Sequence, residues 1–209
     1  MSPERFLARP GRTFALACAV IALVTAWAFV VPDGTRTIDR RWAVWMQATK
    51  TSVPYHAARF LEWVGDDTGR SLAVTVVVLA LLARRRWLGL VAFCVIELLT
   101  PLATELLKRL AGRTRPSWPL VHATGASFPS GHTSYAAATL VALVLLYTRI
   151  GQGRRRWWAL VALGTAVMGW SRTYVHAHWL SDVVAGGMLG WALALAVFAV
   201  AQAAASSAR

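Results

Sequence analysis

The sequence has 209 residues, of which 57% are hydrophobic, and a mean hydropathy of +0.51, so it is too apolar for an ordinary soluble domain. Its net charge of +13 would suit a nucleic-acid-binding protein, but the arginine triplets at 84–86 and 154–156 each lie between two apolar runs. Basic clusters beside apolar spans are typical membrane anchors that can also bind anionic lipid headgroups. We therefore expect membrane lipids, and no nucleic acid, as partners.

A transmembrane helix needs about 17–25 mostly apolar residues. Six apolar segments of the chain approach or reach this length. In chain order they cover 13–31, about 69–83, 87–107, 130–147, 157–174 and 180–203. The first could also be a cleaved signal peptide, but it exceeds the usual apolar core of about 7–15 residues, so we expect a retained span. No linker or change in composition divides the chain. The sequence predicts an all-α polytopic membrane protein with six transmembrane helices in one domain, 1–209.

A shorter helix is predicted between the first two spans. Trp42, Trp45 and Met46 recur at helical spacing among arginine and polar residues. The pattern predicts an interfacial helix that lies on the membrane surface. A helix packed over the loop side of the bundle fits it equally well.

Six spans would place both termini and both arginine triplets on one side, and the loops 32–68, 108–129 and 173–179 on the other. Of the 22 Lys and Arg residues, 11 fall on each side. The triplets are compact, whereas Lys108, Arg115 and Arg172 on the second side have a chemical reason to be there. We therefore expect the triplets in the cytoplasm and the three loops on the extracytoplasmic face.

Three polar clusters fall on that second face. They comprise Lys108 with Arg115-Pro116, then Pro129-Ser130-Gly131-His132, and finally Ser171-Arg172 with His178 and Asp182. Charges beside hydrocarbon are costly. A single arginine at such a position would indicate only an interfacial anchor, whose charged end extends to water. Three cations with two histidines and an aspartate indicate an anion site, because a guanidinium can hold two phosphate oxygens at once.

The second cluster opens the fourth predicted span. Unpaired N–H groups at a helix N-terminus bind phosphate readily, and Gly131 lets the backbone approach closely. Ser130 could both cap the helix and donate to a phosphate. The alternative is a plain helix cap with His132 as an interfacial histidine.

His178 and Asp182 are four residues apart and so share one face of a helix. Asp182 could accept a hydrogen bond from one ring nitrogen, which would fix the tautomer and make the other nitrogen a better nucleophile. A structural His–Asp pair is the alternative. His176 and His178 could suggest a metal, but a metal site needs three or four ligands and no cysteine is near, so we expect none.

Together, Lys-x6-Arg-Pro, Pro-Ser-Gly-His and Ser-Arg-x5-His-x3-Asp over 108–182 resemble the three signatures of the type 2 phosphatidic acid phosphatase superfamily, with every position present. The resemblance implies that His178 attacks phosphorus, Asp182 activates it and His132 protonates the leaving oxygen. It implies that the phosphoryl oxygens are held by Lys108, Arg115, Ser130, Gly131 and Arg172. Water would then hydrolyse the phosphohistidine without metal or cofactor. Soluble vanadium haloperoxidases share the superfamily, but six apolar spans fit them poorly.

The resemblance and the apolar spans together predict an integral membrane enzyme that dephosphorylates a lipid phosphate or diphosphate. Polyprenyl diphosphate, phosphatidylglycerophosphate and phosphatidic acid are candidates among which the sequence does not choose. A catalytically idle lipid-binding or transport protein is the alternative. Abundant alanine and arginine with few lysines are typical of a GC-rich bacterial genome, so we expect a bacterial cell membrane.

Outside the motifs, Glu97 lies within the third predicted span. A carboxylate within a membrane predicts a functional role by default, but the sequence names no partner for it. Glu105 is expected to form a local ion pair with Lys108 or Arg109.

Overall fold

The computed structural model describes residues 5–30, 37–46, 48–148, 150–151 and 153–207. These residues form eight helices: α1 (Pro10–Val30), α2 (Thr37–Trp45), α3 (Val53–Gly65), α4 (Asp67–Ala83), α5 (Trp87–Ala111), α6 (Gly131–Tyr147), α7 (Arg154–Tyr174) and α8 (Leu180–Ser207). No strand occurs in the described ranges. The all-α prediction is confirmed.

Each of the six predicted apolar segments forms a helix. Among the described helices, α1, α5 and α8 are long and apolar enough to cross a membrane, and α6 is a shorter apolar helix. Some helices extend beyond the apolar runs. Helix α5 continues through Lys108 and Arg109 and is capped by Gly112, whose φ of 54° suits a glycine cap. The predicted end of the first span, at residue 31, lies outside the described residues.

The helix predicted around Trp42 is α2. Its residue Asp39 is buried and accepts hydrogen bonds from Ser181 at the start of α8. These contacts favour the alternative in which the helix packs over the loop side of the bundle. A position on the membrane surface stays a prediction.

Helix α3 was not predicted from the sequence. It begins after Ser52, whose hydroxyl accepts a hydrogen bond from the N–H of Tyr55, as a helix N-cap does. It packs against α7 and α4. This contact brings the end of α3 over the ends of α6 and α7.

Helix α6 lies at the centre of the bundle, against α8, α7 and α5. It is apolar all round, as expected of a helix that is buried on several sides. The backbones of α6 and α8 touch, because a Cβ at Gly190 would lie 2.1 Å from the carbonyl oxygen of Ser134. This close packing holds the N-terminal ends of α6 and α8 side by side.

The first described residues, the end of α8 and both arginine triplets lie together at one end of the bundle, where Arg86 and Arg154 donate to carbonyls in the last turn of α6. Arg154 donates to the carbonyl of Phe6 at 2.6 Å. The side-chain oxygen of Gln202, near the end of α8, accepts from the N–H of Phe6 at 2.7 Å. These contacts agree with the predicted arrangement at this end, and the loops that carry the polar clusters meet at the other end. The membrane topology stays a prediction.

Candidate active site

The polar clusters converge where α5 and α7 end and α6 and α8 begin. Direct contacts join Arg115 to His178 and His178 to Asp182. The N–H of Ser130 donates to the carbonyl of Asp182 at 3.0 Å, which ties the start of α6 to the start of α8. The three predicted clusters therefore form one site.

His178 is buried in the loop between α7 and α8. Its Nε2 lies 3.2 Å from Nη1 of Arg115. Because a guanidinium only donates hydrogen bonds, Nε2 is the acceptor and carries the lone pair, and the ring hydrogen is on Nδ1. That atom lies 3.4 Å from Oδ2 of Asp182, without the geometry of a full hydrogen bond.

Burial lowers the pKa of His178 to about 4. The carboxylate of Asp182 opposes this shift, whereas the positive charges of Arg115 and Arg172 add to it. The imidazole is therefore neutral at physiological pH. An unprotonated ring nitrogen faces a group of cations.

Arg115 is held mainly by backbone carbonyl groups. Its guanidinium donates to the carbonyls of Thr124, Gly125, Ala126 and Ala177. It thereby fixes the loop before α6 against the loop before α8. Among the described residues, the side-chain contact of Arg115 is to Nε2 of His178.

Arg172, in the last turn of α7, is only 2% exposed. Its Nη2 lies 3.3 Å from Oε1 of Glu62 on α3. Nε and Nη1 have no hydrogen-bond partner among the described residues. Buried donors without a partner are unfavourable, so this guanidinium is suited to an anionic ligand.

Lys108, near the end of α5, is half-buried. It is close enough to Arg115 and Asp182 to interact with both charges.

Ser130 is the N-cap residue of α6, but its hydroxyl does not cap the helix. The capping role expected for this side chain is therefore wrong, and the hydroxyl accepts instead from Thr133 at 3.1 Å. There is space beside Gly131, since a Cβ added to this residue would contact only a methyl group of Thr104, at 3.7 Å.

His132 faces the end of α3. Its Nε2 lies 3.2 Å from Oδ1 of Asp66 and 3.3 Å from the carbonyl oxygen of Glu62. Both partners accept hydrogen bonds, so Nε2 carries a hydrogen. The ring packs against Gly65, where a Cβ would lie 2.4 Å from Cδ2. His132 also lies within electrostatic range of Arg172 and His178.

Four charged residues of the site were missed from the sequence: Asp39, Glu62, Asp66 and Arg113. They are not motif positions, and the site residues that they contact are distant in the chain. One signal was available. The chain has only nine acidic residues, so the carboxylates of the loop 32–68 could have been considered as partners for the site's cations.

The partner that the sequence did not name for Glu97 is Arg70 on α4, whose Nε lies 3.4 Å from Oε2. Thr139 of α6 donates to the other carboxylate oxygen at 3.0 Å. Glu97 thus joins α4, α5 and α6. The local ion pair expected for Glu105 is confirmed with Arg109, at 3.0 Å.

The described residues contain no group of three or more His, Cys, Asp or Glu side chains placed to hold a metal ion. The cations and histidines described above are placed for an anion. The geometry is that of a cluster of cations beside a neutral histidine.

Comparison with known proteins places this site in a family context. Residues 89–206 match the family model described as the PAP2 superfamily. A phosphatidylglycerophosphatase B of Bacillus subtilis (strain 168) is 30% identical over 112 residues, which are 51% of this chain and 55% of that protein. A lipid A 1-phosphatase of Rhizobium etli is 33% identical over 116 residues, which are 50% of this chain and 46% of that protein. The chain thus spans about half the length of both relatives.

The fold resembles the crystal structure of a transmembrane PAP2 type phosphatidylglycerolphosphate phosphatase from Bacillus subtilis. The TM-score is 0.70 over 91% of this chain and 94% of that chain, at 22% sequence identity. At this identity the match establishes a shared fold. The solved structure is that of a transmembrane protein, and the apolar helices identify this chain as a membrane protein as well.

Proposed function

Because the chain belongs to the PAP2 superfamily, we propose that it is an integral membrane lipid phosphatase that works through a phosphohistidine. Its substrate is a lipid phosphate or diphosphate. The proposal includes six membrane-crossing helices, with the arginine triplets in the cytoplasm and the active site on the extracytoplasmic face. The names of the relatives, a phosphatidylglycerophosphatase and a lipid A phosphatase, support a lipid substrate.

One observation carries the chemical part of the proposal. The lone pair of His178 Nε2 faces Nη1 of Arg115 at 3.2 Å, inside a cluster of cations that suits a phosphate. A phosphoryl group held by Lys108, Arg115 and Arg172 would present its phosphorus to this nitrogen. Positive charge around the phosphoryl oxygens also stabilises the charge that develops in the transition state.

In the first step, Nε2 of His178 attacks phosphorus and the bond from phosphorus to the lipid oxygen breaks. His132 supplies the proton that the departing oxygen requires, which a bound phosphate dianion favours by stabilising the protonated imidazole. Ser130 and the N–H groups at the start of α6 hold phosphoryl oxygens beside Gly131. Asp182 stabilises the positive charge that forms on the ring of His178.

In the second step, water attacks the phosphorus of the phosphohistidine and the nitrogen–phosphorus bond breaks. His132, now neutral, accepts a proton from that water. Inorganic phosphate leaves, and both histidines return to their starting states. No metal ion or cofactor takes part in the proposed steps.

Phosphate release from a lipid should continue in EDTA. Purified protein in detergent would be incubated with short-chain phosphatidic acid, phosphatidylglycerophosphate and a prenyl diphosphate, with and without excess EDTA. We expect release from at least one lipid, at rates that agree within about twofold between the two conditions. Heat-denatured protein is the control.

Failure to release phosphate from any of the lipids between about pH 5 and pH 8 would support the alternative of a catalytically idle lipid-binding or transport protein. A rate that collapses in EDTA and returns with added metal would overturn the metal-free mechanism. The relative rates across the three lipids would identify the preferred headgroup.

The acid side of the pH profile should report the lowered pKa of His178. The neutral ring attacks, and burial lowers its pKa to about 4, so protonation inactivates the free enzyme only at low pH. We expect kcat/KM to stay level from pH 7 down to about pH 5 and to fall about tenfold per unit below about pH 4. The measurement is kcat/KM for an aryl phosphate in detergent, with a return to pH 7 as the control for denaturation. An acid limb centred near the ordinary histidine value, about 6.5, would contradict the assignment.

A further inference from the structure

A buried ion cluster lies behind Asp182, on the side away from His178. It is formed by Asp39 of α2, Arg113 of the loop after α5, and Asp182 itself. Nη2 of Arg113 lies 2.6 Å from Oδ2 of Asp39. Nη1 lies 2.6 Å from Oδ1 of Asp182. All three side chains are fully buried.

The same cluster holds the first turn of α8. Asp39 accepts hydrogen bonds from the N–H of Ser181 at 2.9 Å and from its hydroxyl at 2.8 Å. Nη1 of Arg113 donates to the same hydroxyl at 2.5 Å. An acidic residue from α2 thus stabilises the N-terminus of a helix about 140 residues later in the chain, where a negative charge is favourable.

The two carboxylate oxygens of Asp182 have different partners. Oδ1 is held by Arg113 at 2.6 Å. Oδ2 accepts from the N–H of Trp179 at 2.9 Å and faces Nδ1 of His178 at 3.4 Å. With Oδ1 anchored, the carboxylate cannot turn Oδ2 away from the imidazole.

The charges of the cluster point to the same role. Arg113 carries one positive charge between two carboxylates, so the three groups together carry one net negative charge. Isolated buried charges are strongly unfavourable, and buried ion pairs are weak evidence for stability alone. A net negative charge behind a histidine stabilises the positive charge that the ring gains when its Nε2 is phosphorylated.

We propose that Asp39 and Arg113 are positioning residues, which orient Asp182 toward His178 and complete a relay of Asp39, Arg113, Asp182 and His178. The inference rests on the proposed function, because it assigns His178 as the nucleophile. Asp39 lies outside residues 89–206, which match the family model. Helix α2 therefore contributes to the chemistry of the site through Asp39.

Asp39→Asn should lower kcat by about 10–100-fold, by analogy with the loss when hydrogen-bond partners of metal-ligating histidines are removed. The KM and the inhibition constant of inorganic phosphate should stay within about twofold, since the cluster is buried behind Asp182 and the phosphate is held by other cations. Ser181→Ala, which removes the hydroxyl contacts to Asp39 and Arg113, should lower kcat in the same way by a few fold. The measurements are steady-state kinetics in detergent on a lipid phosphate that the wild type hydrolyses, with orthophosphate as the inhibitor.

Asp67→Asn is the matched control, because Asp67 is an exposed carboxylate in the first turn of α4, and we expect wild-type kcat for it. If Asp39→Asn does not yield folded protein, Ser181→Ala and Arg113→Lys decide, since lysine keeps the charge but cannot span two carboxylates. A kcat within twofold of wild type, or a phosphate inhibition constant that rises in step with the loss of kcat, would overturn the inference. A wild type that releases no phosphate from any lipid would instead overturn the proposed function.

Discussion

His178→Ala should abolish turnover, with kcat lower by on the order of 10⁴-fold or more, as when a nucleophile is removed from other enzymes that form covalent intermediates. Within the described residues, His178 is the histidine whose unprotonated nitrogen faces Arg115, at 3.2 Å. Alanine leaves no atom that can bond to phosphorus. The guanidinium of Arg172 and the helix N-terminus would still bind phosphate, so substrate binding should persist.

The decisive measurement is capture of the intermediate. Wild-type protein mixed with a lipid carrying radioactive phosphate and quenched in base should retain a phosphoryl group that is stable in base and labile in acid, as a phosphoramidate is. His178→Ala should retain none. His56→Ala is the control, because His56 is exposed on α3, and it should be labelled like the wild type. Label that persists in His178→Ala would show that another residue is the nucleophile.

The second large effect is expected for His132→Ala. With a lipid phosphate the leaving group is a poorly acidic alcohol, which requires a proton as it departs, and loss of a general acid costs about 10²–10⁴-fold in rate. An aryl phosphate leaves as a stabilised phenolate and requires little help. We therefore expect a loss of that size on phosphatidic acid and a much smaller loss on the aryl phosphate.

The contacts of His132 give this prediction its structural basis. Nε2 is held by Asp66 and by the carbonyl of Glu62, so the ring is fixed rather than free at the membrane interface. The ratio of the rates on the two substrates, compared between wild type and variant, separates acid catalysis from binding. Equal losses on both substrates would contradict the role of general acid. His122→Ala, an exposed histidine of the loop before α6, should leave the ratio unchanged.

The helices were predictable where a long apolar run produced them. The six predicted spans are helices because an apolar segment of that length can satisfy its backbone only internally. The ends were less predictable, since Lys108 and Arg109 are polar yet continue α5, where cations favour a helix C-terminus. Helix α3 is short and amphipathic. Ser52 followed by Pro54 is a helix-start signal, so the sequence did contain evidence for it.

The residues of the three motifs were predictable because their spacing is local. His178 and Asp182 are four residues apart, and their pairing follows from that separation. The contact between Arg115 and His178 crosses 63 positions of the chain, and only the order of the motifs suggested it. The tautomer of His178 could not be predicted, because it depends on which donor faces which ring nitrogen.

By itself, the sequence determined the class of the protein: an all-helical membrane protein whose motifs contain cations, two histidines and an aspartate. Composition and local spacing carry that information directly. Only the tertiary structure decided how each site residue is held. Arg113, paired with Asp39, contacts Asp182. Glu62 contacts Arg172, and Asp66 contacts His132. These carboxylates lie in segments with no motif, and their role arises only when the fold brings them against a cation or a histidine. The physical reason is that charges pair by their distance in space, which separation along the chain predicts only for residues within one or two turns of the same helix.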